Sequence, residues 1–331
     1  MSRFRFVMLC LAILLVIPIT FSYAAPFHYQ SASIITAEST YLTYLPIVDL
    51  PPIPGRIAYT ASVAPSSDTR QVFVMNTDGT GVTQLTFPFP QSWINNNNWV
   101  TSWSPDGNYL LFQSDRGHNP FVDDIYKMRT DGSEVTQLTK TSAADGAIWS
   151  PDGQTIAYFQ SIDAVEQIFT MHPDGSGQTQ ITHNPGAPYV HYQSMSWAPD
   201  SKRLIVGIHQ PYPDHLDILN IEDGKTQPFP VAAECPNNPS WSPDGALILF
   251  VAGCGGPTGG GIYSIHSDGT GLTRIIPQEK SAGGLLSWSP DGKFFVGMGG
   301  TGISIYRREG GEPVRMIPKH DFTAEPIWSP N

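Results

Sequence analysis

Six of the nine histidines stand in polar segments that carry no strand pattern: His118, His183, His191, His209, His215 and His320. Imidazole nitrogens bind zinc and manganese, so these residues could form a metal or carbohydrate site. His191, His209 and His215 could converge on one ion, although no spacing between them fixes a set of ligands. Ordinary solvated loop residues are the alternative for all six.

The same segments hold side chains that commonly anchor a protein partner. Aromatic rings and arginine are enriched at protein interfaces and carry much of the binding energy, so we favour a recognition rim for a protein or peptide. The candidate ligand-binding residues are Trp93, Arg116, His118, Tyr189, His191, Tyr192, His209, Tyr212, His215 and His320. We assign no catalytic residue, metal ligand or cofactor, because the G-x-S-x-G, H-E-x-x-H and phosphate-loop patterns are missing from the sequence.

A recurring stretch, Trp-Ser-Pro-Asp-Gly, must position these segments. It begins at Trp103 and its tryptophan returns after 46, 48, 44, 47 and 40 residues, which is a period typical of repeat proteins. Pro-Asp-Gly favours a tight turn, so each copy predicts a strand that ends on tryptophan and a strand that returns. Because these residues recur, we interpret them as structural: Trp103, Asp106, Trp149, Asp152, Trp197, Asp200, Trp241, Asp244, Trp288, Asp291 and Trp328.

Each period predicts four antiparallel strands. A second turn, such as Asp131-Gly132, separates two further apolar runs, and four strands in 40 to 48 residues is typical of one propeller blade. Residues 56–86 hold three strands, and residues 324–329 hold the tryptophan strand that they lack. The sequence therefore predicts an all-β, six-bladed β-propeller over 56–331, with the Trp328 strand completing the first blade and leaving no open edge.

This topology sorts the connections onto two faces. The Pro-Asp-Gly turns lie on one face. The longer segments between blades, and those between second and third strands, lie on the other, which we call the loop face. The histidines and aromatic residues of the candidate set fall on the loop face, where function usually sits on a rigid scaffold.

The first residues predict export. Arg3 and Arg5 precede an apolar run that ends near Ala24, as in a signal peptide over 1–24 with cleavage after Ala24. An uncleaved anchor is the alternative, and either form places the body in the periplasm or outside the cell. Residues 25–55 predict an extended, proline-rich lead.

The net charge is −11 at pH 7, which disfavours nucleic acid and anionic membrane surfaces as partners. We expect a monomer that touches the membrane only through an uncleaved signal.

Two cysteines remain once Cys10 leaves with the signal. Cys235 and Cys254 are symmetric about the Asp244-Gly245 turn, so in a regular hairpin they would be cross-strand neighbours within reach of a disulfide. Export places them in an oxidising compartment, and we predict the Cys235–Cys254 bond. Two free thiols are the alternative.

The repeats resemble those of TolB-type propellers. That family's pattern runs W-S-P-D-G, then I-Y-x-M-x-x-D-G, then L-T, and Ile125–Gly132 with Gln137–Thr139 matches it closely. The resemblance covers about residues 56–330. Since the lead is short and proline-rich, we expect this chain to lack the α/β domain that precedes the propeller in TolB, and TolB's partners are not carried over.

The resemblance is specific for the fold rather than the function. From the export signal and the loop-face residues on a rigid ring, we expect an exported TolB-like module that binds a protein or peptide, or acts as a scaffold, in the cell envelope or outside the cell. Some polysaccharide lyases resemble this chain in having propellers that hold a metal through histidines. A metal-dependent lyase or hydrolase that uses the loop-face histidines is therefore one alternative. A purely architectural envelope protein is the other.

Overall fold

The computed structural model describes residues 52–63, 69–88, 97–116, 122–184, 191–209, 214–253, 260–278, 283–299, 302–318 and 322–330. The export signal and most of the lead lie outside these residues and stay predictions. In the described part of the chain, no helix is long and apolar enough to cross a membrane.

Six four-stranded antiparallel sheets form the blades of a propeller. Blade 1 consists of β24 (Phe322–Trp328), β1 (Arg56–Ser62), β2 (Arg70–Asn76) and β3 (Thr83–Gln84). Blade 2 consists of β4 (Asn98–Trp103), β5 (Tyr109–Ser114), β6 (Asp124–Arg129) and β7 (Thr136–Gln137). Blade 3 consists of β8 (Ala144–Trp149), β9 (Ile156–Ile162), β10 (Val165–Met171) and β11 (Thr179–Gln180).

The second half of the ring repeats this order. Blade 4 consists of β12 (His191–Trp197), β13 (Arg203–His209), β14 (His215–Asn220) and β15 (Thr226–Pro228). Blade 5 consists of β16 (Asn237–Trp241), β17 (Leu247–Ala252), β18 (Gly261–His266) and β19 (Thr273–Pro277). Blade 6 consists of β20 (Gly283–Trp288), β21 (Phe294–Gly299), β22 (Gly302–Arg307) and β23 (Arg315–Pro318). The predicted all-β, six-bladed architecture is confirmed.

The Pro-Asp-Gly turns form by local hydrogen bonding. In blade 2 the Ser104 hydroxyl donates to Oδ1 of Asp106 at 2.5 Å and accepts from the Tyr109 backbone N–H at 2.8 Å. Gly107 takes a φ of +70°, a conformation that glycine adopts without steric cost. These residue types therefore fix the direction in which each tryptophan strand turns back.

The ring closes as the sequence predicted. β24 pairs with β1, placing Trp328 opposite Ile57 and Ile327 opposite Ala58. The Ser329 backbone N–H donates to the Arg56 carbonyl at 2.8 Å, and the Arg56 N–H donates to Ser329 Oγ at the same distance. The first and last strands of the propeller therefore belong to one sheet.

Apolar packing joins the blades. Each of six buried clusters draws its residues from two neighbouring blades. Between blades 3 and 4, for example, Phe159 and Ile168 pack with Trp197 and Val206. Each sheet therefore buries both faces against its neighbours, and burial of apolar side chains stabilises the seams.

The six tryptophan strands surround a central channel. The end of this channel on the turn face is a cavity of about 390 Å³, lined mainly by the tryptophans and the prolines that follow them. The inner edge of each tryptophan strand has no further strand to pair with, so its backbone groups need other partners. Neighbouring blades supply them through two kinds of hydrogen bond.

The two kinds alternate around the channel. In blades 2, 4 and 6 the indole Nε1–H donates to a backbone carbonyl of the preceding blade: Trp103 to Ile327, Trp197 to Ile148, and Trp288 to Ser240, at 3.1 to 3.3 Å. In blades 3, 5 and 1 the tryptophan backbone N–H donates to a serine hydroxyl of the preceding blade: Trp149 to Ser102, Trp241 to Ser196, and Trp328 to Ser287, at 2.9 to 3.1 Å. The six bonds close into one ring with approximate three-fold symmetry.

The hairpin near the cysteines differs from the expected one. A register shift lies between Asn237 and Ser240 in β16, so this hairpin is not regular along its length. The Gly253 N–H still donates to the Glu234 carbonyl at 2.8 Å, which keeps the two segments side by side. Cys254 lies outside the described residues, and the disulfide to Cys235 stays a prediction.

Candidate functional site

Five of the ten candidate ligand-binding residues belong to the described part of the chain: Arg116, His191, Tyr192, His209 and His215. The other five, Trp93, His118, Tyr189, Tyr212 and His320, lie outside it, and their roles stay predictions.

The three histidines considered for a metal each face a different carboxylate. His191 and His209 are directly opposite each other on β12 and β13, while His215 lies opposite Ile208. Nδ1 of His191 lies 2.7 Å from Glu166, Nδ1 of His209 lies 2.7 Å from Asp214, and Nε2 of His215 lies 3.6 Å from Asp217. Within the described residues, no group of three His, Cys, Asp or Glu side chains is placed to hold a metal ion.

Arg116 and Tyr192 are held by the framework. The guanidinium of Arg116 lies 5.0 Å from the ring centres of both Phe112 and Tyr126, and its Nη2 donates to Oδ1 of Asn98 at 2.8 Å. Tyr192 is buried and stacks on Phe159 with ring centroids 6.2 Å apart. Both residues therefore shape the wall of the loop face rather than project from it.

A cavity of about 460 Å³ occupies the loop-face end of the central channel, and we call it the channel mouth. The early residues of the tryptophan strands contribute to it, together with side chains of β5, β9 and β10. Its lining includes Trp99, Thr101, Asp145, Phe159, Glu166, His191, Tyr192 and Gln193. The channel mouth thus combines aromatic rings with two carboxyl groups and one imidazole.

A β-bulge directs Asp145 into the channel mouth. Asp145 pairs with Phe159, but the register shifts before Ile148 pairs with Ala157, so β8 carries an extra residue here. Gly146 takes a φ of +59°, and a Cβ atom at this position would lie 2.5 Å from the Phe159 ring. Bulges commonly redirect side chains beside functional sites.

The neighbouring blade fixes this bulge. The Gly146 N–H donates to Oε1 of Gln113 at 3.0 Å, and Nε2 of Gln113 donates to Oδ2 of Asp123 at 3.1 Å. The position of Asp145 therefore depends on the seam between blades 2 and 3.

The carboxyl groups of the channel mouth have perturbed acidity. Burial raises the pKa of Asp145 to about 7, the charge of Glu166 adds to the rise, and His191 opposes it. Beside the mouth, burial raises the pKa of Asp123, the acceptor from Gln113, to about 6, with smaller contributions from the charges of Asp115 and Asp145. Burial also raises the pKa of Glu166, although the hydrogen bond to His191 limits that rise. Loss of water therefore makes negative charge costly at the channel mouth.

The candidate set had placed His191 and Tyr192 at this site but had missed Trp99, Asp145 and Glu166. One signal could have pointed to Asp145. Asp145-Gly146 lies inside a tryptophan strand, where a glycine often marks a bulge. Nothing in the sequence indicated that Glu166, a residue of the third strand of its blade, would reach the channel.

Comparisons with known proteins agree with this architecture. Residues 56–187 match the family model for the TolB beta propeller domain. The Uncharacterized peptidase YuxL of Bacillus subtilis is 30% identical over 151 residues, which cover 45% of this chain and 21% of that protein. The Tol-Pal system protein TolB of Anaeromyxobacter dehalogenans is 32% identical over 84 residues, which cover 25% of this chain and 19% of that protein.

Among solved structures, TolB from Acinetobacter baumannii superimposes with a TM-score of 0.69 at 19% identity, covering 84% of this chain and 67% of that one. At this identity the likeness concerns the fold. The chain spans about a fifth of the length of the two curated relatives. Residues 56–187 therefore match the TolB beta propeller domain, and the six closed blades share the fold of TolB.

Proposed function

We propose that this propeller is a binding module that takes a peptide, or an extended segment of a protein, at the channel mouth. The observation that carries the proposal is the cavity of about 460 Å³, which combines aromatic rings with polar groups. Its volume lies within the range of about 300–1,000 Å³ typical of ligand sites.

The chemistry of the channel mouth suits a peptide. Trp99, Phe159 and Tyr192 offer apolar area, while Gln193 and Asp145 offer hydrogen-bonding groups beside it. Interfaces commonly combine aromatic anchors with a polar rim in this way. The separate pairing of His191, His209 and His215 with three carboxylates favours recognition over a metal-dependent lyase or hydrolase.

We also propose that recognition takes place in the cell envelope or outside the cell. The support is the pair Arg3 and Arg5 ahead of an apolar run. Fractionation of cells that express the full chain tests this location. Recovery of the protein with the cytoplasmic fraction would contradict it.

The binding proposal can be tested with the full chain and a phage-displayed library of random peptides. Gln193 is exposed at the channel mouth, and Gln154 is exposed at a Pro-Asp-Gly turn on the opposite face. We expect Gln193→Trp to obstruct the mouth and to weaken the enriched peptides at least tenfold. Gln154→Trp, the matched control, should leave their binding unchanged.

Two results would oppose the proposal. One is that no peptide is enriched on the full chain. The other is that the enriched peptides bind Gln193→Trp as well as they bind the natural protein.

A further inference from the structure

Asp145 is the least satisfied charged group of the channel mouth. No hydrogen bond from a described residue reaches its carboxyl group, although burial is the main influence on its acidity. Glu166 differs, because it accepts hydrogen bonds from His191 and from the Tyr192 backbone N–H. Asp145 is half-buried, and its partial loss of water makes the ionised form costly, so a neighbouring positive charge would offset that cost.

Among the described residues, the basic side chains close to this site already have partners. His191 lies 2.7 Å from Glu166 and is the basic group that acts on Asp145. Arg116 lies over the rings of Phe112 and Tyr126. On the side of blade 2, the neighbouring side chain is the neutral Gln113, which hydrogen-bonds to Asp123 and to the Gly146 backbone.

Two other groups on the wall suit a cationic ligand. Thr101 lines the cavities at both ends of the channel, and its Oγ1 is buried without a partner among the described residues. Trp99 lines the channel mouth as well, and the face of an indole ring attracts ammonium and guanidinium groups. A carboxyl and a hydroxyl that have no hydrogen-bond partner among the described residues thus border the same cavity as an indole.

We propose that the peptide bound at the channel mouth places a positively charged group beside Asp145 and Glu166. A lysine or arginine side chain or a free N-terminal ammonium supplies this chemistry. The inference rests on the proposed function and specifies the ligand class of the same site. An acidic group would be repelled there, and a neutral donor would leave the charge of Asp145 uncompensated.

Binding of a cation favours the ionised form of Asp145. Affinity should therefore rise with pH through about 7, where the free carboxyl titrates, and the protein should release a proton on binding at lower pH. A neutral peptide would show no such dependence at this group.

The test uses pools of random hexapeptides with amidated C-termini on the full chain, at a salt concentration that screens the net charge of −11. Four N-acetylated pools carry one fixed Lys, Arg, Gln or Glu. A fifth pool repeats the Gln pool with a free N-terminus. We expect the Lys or Arg pool, or the free N-terminus pool, to bind at least tenfold more tightly than the acetylated Gln pool.

Asp145→Asn should remove this preference and its dependence on pH. Asp163→Asn is the matched control, because Asp163 is an exposed acid of the same blade in the β9–β10 turn. It changes the net charge equally and should keep the preference. The inference fails if the Lys, Arg and Gln pools bind alike, or if Asp145→Asn retains the preference.

Failure of the proposed function would give a different binding result from failure of the cation inference. In that case no pool binds, or Gln193→Trp weakens none of them. Pools that bind at the channel mouth without preferring a cation would overturn the cation inference alone.

Discussion

The ring of hydrogen bonds around the channel predicts different effects for serines at equivalent positions of the repeat. Ser196 and Ser240 each precede a tryptophan. Ser196 uses its hydroxyl to accept from the Trp241 backbone N–H at 3.0 Å, whereas Ser240 uses its backbone carbonyl to accept from Trp288. Replacement of each serine by alanine therefore removes a ring bond at one position and none at the other.

The Trp241 N–H has no strand partner that could replace Ser196. The next residue, Ser242, donates to the Leu247 carbonyl within the hairpin, and alternate residues of an antiparallel pair direct their N–H groups away from that partner strand. An N–H left unpaired in a buried setting costs about 1–3 kcal/mol. Since Ser196 is only half-buried and water can replace part of the bond, we expect Ser196→Ala to lower the free energy of unfolding by about 1–2 kcal/mol.

Urea unfolding followed by tryptophan fluorescence measures this loss as a lower midpoint at an unchanged slope. Ser240→Ala is the matched control and should change the free energy of unfolding by less than about 0.5 kcal/mol. Equal losses at the two serines, or no loss at Ser196, would refute the alternating ring as a source of stability.

Three further predictions concern other parts of the propeller. Gly146→Ala should lower the free energy of unfolding by about 2–4 kcal/mol, because the new Cβ would meet the Phe159 ring and the residue has a positive φ. At Gly311 a Cβ has open space, so Gly311→Ala should cost only about 1 kcal/mol in the same urea assay. The raised pKa of Asp145 means that the folded state holds a proton between about pH 4 and pH 7 that the unfolded state releases, so this group's contribution to stability falls as pH rises through that range. Asp145→Asn should therefore be more stable than the natural protein by about 1–3 kcal/mol above pH 7, and should lose that advantage below pH 4. Thermal unfolding at both pH values measures this. An equal stability difference at the two pH values would contradict the prediction. A thiol assay on the exported protein, denatured without reductant, should find no free thiol at Cys235 and Cys254, and two thiols would mean that the disulfide is absent.

The architecture was predictable because the local sequence of each repeat determines its own strands and turns. Pro-Asp-Gly favours a turn wherever it occurs. The first blade has three strands from Arg56 onward, and its fourth strand comes from the segment that ends at Trp328. The turn motif and the number of strands can both be read from the sequence without knowing how the blades pack.

The channel mouth was only partly predictable. Topology placed His191 and Tyr192 on the loop face, but their partners depend on contacts between blades. Glu166 reaches His191 across the seam of blades 3 and 4, and Asp145 enters the channel because of a bulge that Gln113 holds from blade 2. Such placements arise from the ring as a whole, and no spacing within one repeat encodes them.

The alternation of indole and serine bonds also imposes a rule of parity on this propeller. A closed ring can alternate two kinds of contact only when its number of blades is even, and six satisfies this condition. A variant with one blade removed or duplicated would bring together two seams of the same kind and break the alternation. A change by two blades would avoid that mismatch. The pair of blades, rather than the single repeat seen in the sequence, is therefore the smallest unit by which this ring could shrink or grow without a defect.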